Sequence, residues 1–289
     1  MTAAPGQRAR RGRASAPARV TFLGTGTSQG VPFIGCECAV CRSTDPRDRR
    51  LRTSVLIDLP ATDSSNDGRT ASPVATAVRR ILIDTSSDLR AQALTHDIRR
   101  LDAILFTHSH ADHILGLDEV RRFNRLQKEA IPCYSDARTK ADLRRTFGYI
   151  FDEDTPKGGG IPKIILNEIV GPFSLGPIDI MPVPIMHGSR PILGFRIGSF
   201  AYLTDCSMIP DTSWPLLEGV HTLVLDALRD RPHTTHFSVA EAVKAAERIG
   251  AVRTYFTHIS HELGHQVTSA RLPRGVELAY DGLVLEIEN

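Results

Sequence analysis

Three histidines and one aspartate lie within six residues of the stretch FTHSHADHILGLDEV. The histidines are His108, His110 and His113, and the carboxylate belongs to Asp112. Imidazole and carboxylate groups are suitable ligands for zinc, manganese or iron. A single tetrahedral ion would use all four ligands, whereas a catalytic site keeps one coordination position open. The spacing therefore predicts a site for two ions, with further ligands elsewhere in the chain.

Other residues of the same chemical type end predicted strands. His187 ends IMPVPIMH, Asp205 ends AYLTD and His258 ends RTYFTH. Strand ends in layered α/β folds converge on one rim, so we expect these side chains near the histidine cluster. Asp84, at the end of ILID, is expected on the same rim as a carboxylate that orients a ligand histidine. Taken alone, each of these residues is equally compatible with a structural role.

A second group of ligands lies in the motif GCECAVC, which contains Cys36, Cys38 and Cys41. Thiolates at this spacing can surround one zinc ion if a fourth ligand is supplied. His261, three residues beyond His258, offers that ligand. Four protein ligands leave no open position, so this site would be a structural zinc that joins two distant loops. Three free, partly buried thiols are the alternative.

The elements that must position these residues are predicted from apolar runs and helical spacing. A first strand begins in ARVTFLG, and further strand-like stretches cover 53–59, 80–86, 101–108, 163–169, 173–187, 192–205, 221–228, 253–260 and 276–288. Helices are predicted over 87–98 with Ser87 as N-cap, over 114–127 and over 238–250. The stretch 151–162 reads as a loop. Two strand-rich halves with interspersed helices favour two packed sheets covered by helices.

Composition and charge restrict the class of protein. The chain has 289 residues and a formal net charge of +2. Residues 1–19 contain five arginines and no acid, so we predict a disordered basic tail followed by one domain over 20–289 with a mobile insertion at 61–79. Without those five charges the domain carries +2 − 5 = −3, which disfavours a broad nucleic-acid surface. The sequence contains no apolar run of membrane length. Three of its five cysteines lie in one motif, which is typical of a cytoplasmic metalloprotein.

The stretch THSHADH resembles the signature of the metallo-β-lactamase fold. This resemblance implies an α/β (α+β) protein with an αββα sandwich of two mixed β-sheets flanked by helices, and it covers residues 20–289. It also implies the following ligands: His108, His110 and His187 for the first ion, Asp112, His113 and His258 for the second, and Asp205 for both.

A narrower resemblance rests on LGTGTSQGVPFIGCECAVC together with FTHISH. Both are similar to the phosphodiesterase branch that contains the cyclic phosphodiesterase of bacterial phosphonate breakdown, in which the cysteines and the second histidine hold a structural zinc. A relative used in pyrroloquinoline-quinone biosynthesis shares the cysteine loop but lacks the full histidine cluster. The 61–79 insertion and the KGGGIP loop depart from the pattern of the branch, so the substrate is not carried over.

The branch implies hydrolysis of a phosphodiester by two divalent cations about 3.5–4 Å apart. A histidine in the region RPHTTHFSVAEA acts there as general acid and phosphate contact. The resemblance assigns this role to His236, with His233 as the competing choice, and Asp112 joins it in the catalytic set. Ser28 and Arg52 are predicted phosphate contacts beside a glycine-rich loop.

We therefore predict a cytoplasmic, metal-dependent phosphodiesterase that acts on a small cyclic phosphate or a nucleotide-like diester. It would hold two zinc, manganese or iron ions in the active site and one structural zinc. The alternatives are an RNA-processing nuclease of the ribonuclease Z type, a thioester or lactone hydrolase on the same fold, and a non-catalytic metal-binding protein. Membrane and nucleic-acid partners are not expected, and homodimerisation stays open.

Overall fold

The computed structural model describes residues 17–59, 80–156, 158, 160–176 and 178–287. Within these residues two seven-stranded sheets pack face to face, with helices on their outer surfaces. The predicted αββα sandwich of the metallo-β-lactamase fold is therefore confirmed. The 61–79 insertion and most of the basic tail lie outside the described residues, and the first strand already begins at Ala18. None of the described helices is long and apolar enough to cross a membrane.

The first sheet has the order β14-β1-β2-β3-β4-β5-β6. Its strands are β1 (Ala18–Gly24), β2 (Ser54–Asp58), β3 (Arg80–Ile83), β4 (Ala103–Leu105), β5 (Ile131–Ser135), β6 (Ile164–Glu168) and β14 (Val284–Ile287). Pairing is antiparallel from β14 to β3 and parallel from β3 to β6. The parallel half directs the ends of β3 and β4 towards one rim.

The second sheet has the order β13-β12-β11-β10-β9-β8-β7. Its strands are β7 (Phe173–Leu175), β8 (Ile178–His187), β9 (Arg190–Ile197), β10 (Phe200–Leu203), β11 (Thr222–Asp226), β12 (Arg253–Thr257) and β13 (Val276–Leu278). Strands β10 to β13 are parallel, whereas β7, β8, β9 and β10 form an antiparallel meander. The ends of β10, β11 and β12 therefore meet at a common edge.

The helices are α1 (Leu89–Thr95), α2 (Ala111–Ile114), α3 (Val120–Gln127), α4 (Ala137–Thr146), α5 (Gly148–Phe151), α6 (Val239–Ile249) and α7 (His265–Ser269). Helix α6 has clear signals at both ends. Ser238 and Glu241 form a reciprocal capping box, and Gly250 ends the helix with φ 75°. Short 3₁₀ turns cover Pro46–Asp48, Leu115–Glu119 and Pro215–Leu217.

Three apolar clusters hold the four layers together. Side chains from both sheets, including Phe22, Phe195 and Tyr202, form the central cluster. A second cluster lies between the second sheet and α6, and a third lies between the first sheet and its helices. This layering follows from sheets that are apolar on both faces.

Several local predictions differ from the structure. Helix α1 has Asp88 rather than Ser87 at its N-cap position. The predicted helix over 114–127 is divided: Ile114 ends α2, a 3₁₀ turn covers Leu115–Glu119, and α3 begins at Val120. The sequence patterns indicate neither strand β5 nor helix α4. The helix buries only Thr139 and Leu143, and it therefore lacks a clear apolar face.

Candidate metal centre and catalytic site

Most of the predicted site residues lie at or just beyond strand ends. Asp84 follows β3, His108 follows β4 and Asp205 follows β10, while His187 is the last residue of β8. His258 follows β12. The backbone of Asp84, Asp205 and His258 is in the left-handed region, with φ of 63°, 57° and 58°. Non-glycine residues rarely adopt this region, and such strained positions cluster at functional sites.

The structure brings all seven predicted active-site ligands together in two donor groups. His108, His110 and His187 form one group, and Asp112, His113, Asp205 and His258 form the other. The ligand atoms within each group lie within 4.8 Å of one another. His110 is the exposed member, and the other six side chains are buried. Solvent therefore reaches the cluster at His110.

Second contacts fix the orientation of several histidine rings. The Nδ1 atom of His113 lies 2.7 Å from an Asp84 carboxylate oxygen, so Asp84 has the orienting position that the sequence predicts. Asp84 also accepts hydrogen bonds from the N–H and the hydroxyl of Thr107. His187 donates from Nδ1 to the carbonyl of Thr235 at 2.8 Å. These contacts leave Nε2 of His113 and of His187 as the available metal-binding atom.

The donor atoms fit divalent cations. His113 Nε2 is 3.2 Å from an Asp205 oxygen and 3.3 Å from an Asp112 oxygen, and His258 Nε2 is 3.3 Å from Asp205. Tetrahedral ligands with bonds of about 2.0–2.1 Å lie roughly 3.3 Å apart. Among the described residues, Nε2 of His108, His113 and His258 has no hydrogen-bond partner although it is buried. Buried polar atoms are rarely left unpaired, and a bound cation is a partner that fits these nitrogens.

His236 stands beside the metal-ligand cluster and is joined to a carboxylate that the sequence reasoning missed. Its Nδ1 is 2.9 Å from Asp226, and its ring contacts those of His187 and His258 at centroid distances of 4.7 and 4.6 Å. Burial lowers the pKa of His236 and raises that of Asp226 well above its usual value. Asp226 ends β11, so the same strand-end rule would have identified it. The ring of the competing His233 has its centroid 5.2 Å from that of His236, and its Nδ1 accepts a hydrogen bond from the Thr235 N–H.

A network on the His110 side of the cluster was also missed. Arg190 donates from Nη2 to the Ser109 hydroxyl at 2.7 Å and approaches Asp142 of α4 at 3.4 Å. Ser109, between two ligand histidines, donates to the same Asp142 carboxylate. No motif in the sequence signals this network, because it depends on the unpredicted helix α4.

The two predicted phosphate contacts are not linked to the cluster. Ser28 is exposed, and Arg52 donates to the Ser28 carbonyl at 2.8 Å. The guanidinium of Arg52 also donates to both oxygens of Asp88 at 3.0 and 3.1 Å. Arg52 therefore fastens the glycine-rich loop to α1, and the predicted role in phosphate binding stays a prediction.

The second predicted metal site has four converging donors. The three sulfur atoms of Cys36, Cys38 and Cys41 lie 3.2, 3.5 and 3.6 Å from Nδ1 of His261. No disulfide joins these cysteines, and the ring of Phe33 stacks on His261 at 3.9 Å. Three thiols and one imidazole form a donor set that suits tetrahedral zinc.

A buried arginine reinforces the same junction of loops. Arg50 is 1% exposed and donates to the carbonyls of Ser260 and Leu263 at 3.1 and 2.8 Å. Its charge is compensated by Asp48 at 3.0 Å, and the carboxylate of Asp48 also accepts the N–H of His265. The segment that carries His258 and His261 is thus held by side chains from early in the sequence.

Comparison with protein families gives one matching domain and several similar structures. The model of the Beta-lactamase superfamily domain matches residues 79–259. The solved structure of a new diphosphatase from the PhnP family has 44% sequence identity and a TM-score of 0.82, and the alignment covers 94% of this chain and 98% of that one. Zn²⁺-bound PqqB from Methylobacterium extorquens shares the fold at 17% identity and a TM-score of 0.69, covering 93% and 100% of the two chains.

Among curated proteins, the chain is similar to an octanoyltransferase of Porphyromonas gingivalis. The two sequences are 36% identical over 267 residues, which is 92% of this chain. The chain spans about half of that relative, since the match covers 51% of its length. The activity in that protein's name therefore belongs to a longer chain.

Proposed function

The chain belongs to the beta-lactamase superfamily, and on this basis we propose that it is a two-metal phosphodiesterase that acts on small phosphodiesters, including cyclic phosphates and nucleotide-like diphosphate esters. The observation that carries the proposal is the contact between the two donor groups and His236. One histidine, His187, is a donor of the first group and touches the ring of His236. A proton donor beside two cations suits the departure of an alkoxide from phosphorus.

The proposal assigns each ligand as the sequence predicts. One cation would be held by His108, His110 and His187, the other by Asp112, His113 and His258, and Asp205 would contact both. Two divalent cations bound there would neutralise charge on the phosphoryl oxygens and lower the pKa of water. The residues admit zinc, manganese or iron.

The chain's own residues supply orientation and the proton. Water adds to phosphorus and the bond from phosphorus to the leaving oxygen breaks. A simple diester gives a phosphomonoester and an alcohol, a cyclic phosphate gives one phosphomonoester that carries the new hydroxyl, and a diphosphate diester gives two phosphomonoesters. Asp112, the carboxylate of the second donor group that follows His110 by two residues, would accept a hydrogen bond from the attacking water. His236 donates a proton from Nε2 to the leaving oxygen, and Asp226 holds its Nδ1 in place.

The diphosphatase from the PhnP family supports the choice of a phosphate ester as substrate. Its sequence is 44% identical to this chain over nearly the whole of both. The diester and the diphosphate share a phosphorus atom bearing a charged oxygen and a leaving oxygen, so one site can act on both. Ribonuclease Z structures share the fold at 20% identity or less, and the described residues include no inserted basic arm.

We also propose that Cys36, Cys38, Cys41 and His261 hold a structural zinc. Four donors fill a tetrahedral ion, so this zinc would stabilise the fold and take no part in hydrolysis. Free thiols at this site fit a reducing compartment, which supports a cytoplasmic location.

The test uses protein reconstituted separately with zinc and with manganese. We expect hydrolysis of bis(p-nitrophenyl) phosphate and of an alkyl phosphodiester, and no comparable turnover of an acyl thioester or a lactone. The His236→Gln variant should lose most activity on the alkyl diester, whereas His221→Gln, at an exposed position, is the matched control. Turnover of thioesters alone would exclude the phosphodiesterase and support the alternative hydrolase.

A further inference from the structure

We propose that Arg190 binds a second anionic phosphoryl group of the substrate, so that the site prefers diphosphate-linked esters to simple phosphodiesters. This inference rests on the proposed phosphodiesterase function and specifies the substrate class of the same site. Arg190 is not among the predicted metal ligands, but it donates a hydrogen bond to Ser109, which lies between His108 and His110.

Arg190 is next to the first donor group. It is the first residue of β9, and its cross-strand partner is His187. Its Nη2 donates to Ser109, which separates His108 from His110. An anion bound at the first donor group is therefore within a short distance of the guanidinium.

The guanidinium has hydrogen-bond donors to spare. An arginine offers five N–H donors, and Nη2 of Arg190 uses its own on Ser109 and Asp142. Nη1 makes no hydrogen bond in the part of the chain that the structure describes and can donate to a phosphoryl oxygen, whereas the unpartnered Nε is buried away from solvent. Unsatisfied arginine donors match the geometry of phosphate oxygens.

Two other arginines each use at least two of their three nitrogens in hydrogen bonds, whereas Arg190 uses one. Arg52 is bonded to Asp88 and the Ser28 carbonyl. Arg229 donates to the carbonyls of Arg231 and Pro232 and approaches Glu262 at 3.6 Å. Of these three arginines, Arg190 is therefore the best candidate for binding a phosphoryl group of the substrate.

Charge around Arg190 is not balanced. The carboxylate of Asp142 is shared with Arg145 at 2.8 Å, so two arginines face one acid. One positive charge is left over, and the side chain of Arg190 is 17% exposed, which limits screening by solvent.

The unbalanced positive charge of Arg190 acts on the exposed histidine of the cluster. His110 is the exposed donor, and its ring contacts that of His187 at 4.9 Å. The ring of His187 in turn contacts His236. An ester that reaches the cluster past His110 therefore passes Arg190, and a phosphoryl group adjacent to the one hydrolysed can remain there.

The experiment compares two substrates on wild type, Arg190→Gln and Ser109→Ala. The substrates are bis(p-nitrophenyl) phosphate, with one anionic phosphoryl, and P1,P2-di(adenosine-5′) diphosphate, with two. We expect Arg190→Gln to lower the kcat/KM ratio of the diphosphate to the diester by about 10- to 100-fold, mostly through KM, the effect of one lost charged hydrogen bond. Ser109→Ala breaks the network but keeps the charge, and should leave the ratio within about threefold of wild type.

Calorimetry with the non-hydrolysed methylene analogue of the diphosphate gives a second readout. The analogue should bind Arg190→Gln about 10- to 100-fold more weakly than wild type. Two outcomes would mean that Arg190 only positions the turn that carries the histidines. One is that Arg190→Gln lowers kcat/KM equally on both substrates, and the other is that Ser109→Ala lowers the diphosphate-to-diester ratio as much as Arg190→Gln does. If wild type hydrolyses neither substrate, the proposed function fails, and unchanged binding of the analogue by Arg190→Gln then overturns the inference as well.

Discussion

His236 and Asp226 share one hydrogen bond, and burial moves their pKa values in opposite directions. The acid becomes harder to ionise, and the imidazole becomes harder to protonate. Both shifts disfavour an ion pair between the two groups. The hydrogen-bonded pair can release its proton through Nε2 when an alkoxide forms on the substrate.

The first prediction concerns this pair. Replacing His236 by Gln, or Asp226 by Asn, should reduce kcat for an alkyl diester by about 10²- to 10⁴-fold, the usual contribution of a positioned acid. The loss should be much smaller for bis(p-nitrophenyl) phosphate, because p-nitrophenolate leaves without a proton. Steady-state kinetics on both substrates would check this. Equal losses on the two substrates would mean that His236 binds the phosphate and does not act as an acid.

The second prediction concerns Asp84, which orients His113. The Asp84→Asn variant keeps an acceptor for Thr107 but weakens the charged contact at 2.7 Å. We expect metal affinity to fall about 10- to 100-fold, as for other carboxylates that hold ligand histidines. Chelator competition would measure it. Asp97→Asn is the matched control, because Asp97 also has positive φ but has no contact with the cluster.

The residue types of this site were predictable, and some of their contacts were not. His108 to His113 are close in sequence, so their common purpose is visible without a structure. Asp226 obeys the same strand-end rule as Asp205 but carries no neighbouring motif. Arg190 was invisible, because its partners Ser109 and Asp142 come from elements separated by 33 residues.

Among the elements, the loop that carries the three cysteines has few other means of support. It contains no helix or strand between Gly30 and Thr44, and Ile34 at its tip is fully exposed. The convergence of its thiols on His261 is the main link between this loop and the segment that follows β12. A zinc ion bound by the three thiolates and His261 would crosslink the cysteine loop to the segment that follows β12.

The third prediction follows from this link. Cys38→Ser should lower the metal content from close to three ions per chain to close to two, and should also lower the thermal midpoint. Metal analysis of protein purified without added metal would measure the first, and calorimetry the second. Cys133→Ala removes a buried thiol from the apolar core and is the control that should keep three ions. An unchanged metal content in Cys38→Ser would contradict a zinc site at the cysteines.

Strands were predicted correctly where the sequence contains a continuous apolar run. The strands β2, β3 and β11 each contain an apolar run of three residues that is buried on both faces. Helix α4 shows the opposite case, since its stability comes from the Asp136 cap and two buried side chains, Thr139 and Leu143. A helix with so narrow an apolar stripe produces a weak signal in the sequence.

At the scale of the whole molecule, Asp281 connects three distant segments. Its carboxylate accepts from the Thr25 hydroxyl and from the Leu51 N–H, both at 2.7 Å. Burial raises its pKa from 3.8 to about 7. The unfolded chain ionises this group near 3.8, so between pH 4 and 7 the unfolded state has already lost a proton that the folded state keeps. The stability contributed by the protonated form is therefore complete below about pH 4 and lost as the pH rises through about 7.

The fourth prediction is a pH dependence of unfolding. Wild type should lose stability relative to Asp281→Asn as the pH rises from about 4.5 to about 8, because the amide cannot ionise and the Thr25 hydroxyl can accept from it. Urea unfolding of both proteins at several pH values across that range would measure the difference, in which the metal contribution largely cancels. Asp211→Asn, at an exposed position, should show no such trend. A constant difference between wild type and Asp281→Asn would disprove the assignment.

The pairing of the two sheets was expected from the family resemblance, whereas the position of the last strand could not be predicted from the residues. Strand β14 pairs with β1, while the other strands of both sheets follow one another in chain order. Such pairings depend on contacts between residues far apart in the sequence, to which local patterns are blind.

The link between the cysteine loop and His261 also affects how the chain is made. Cys41 and His261 are 220 residues apart. At a synthesis rate of about 5–20 residues per second, roughly 10–45 s pass on the ribosome between the synthesis of the three thiols and that of His261. During that interval β1 also lacks β14, its neighbour at the sheet edge. The nascent chain thus carries three neighbouring thiols without their histidine, and during that time an oxidant can join two of them as a disulfide.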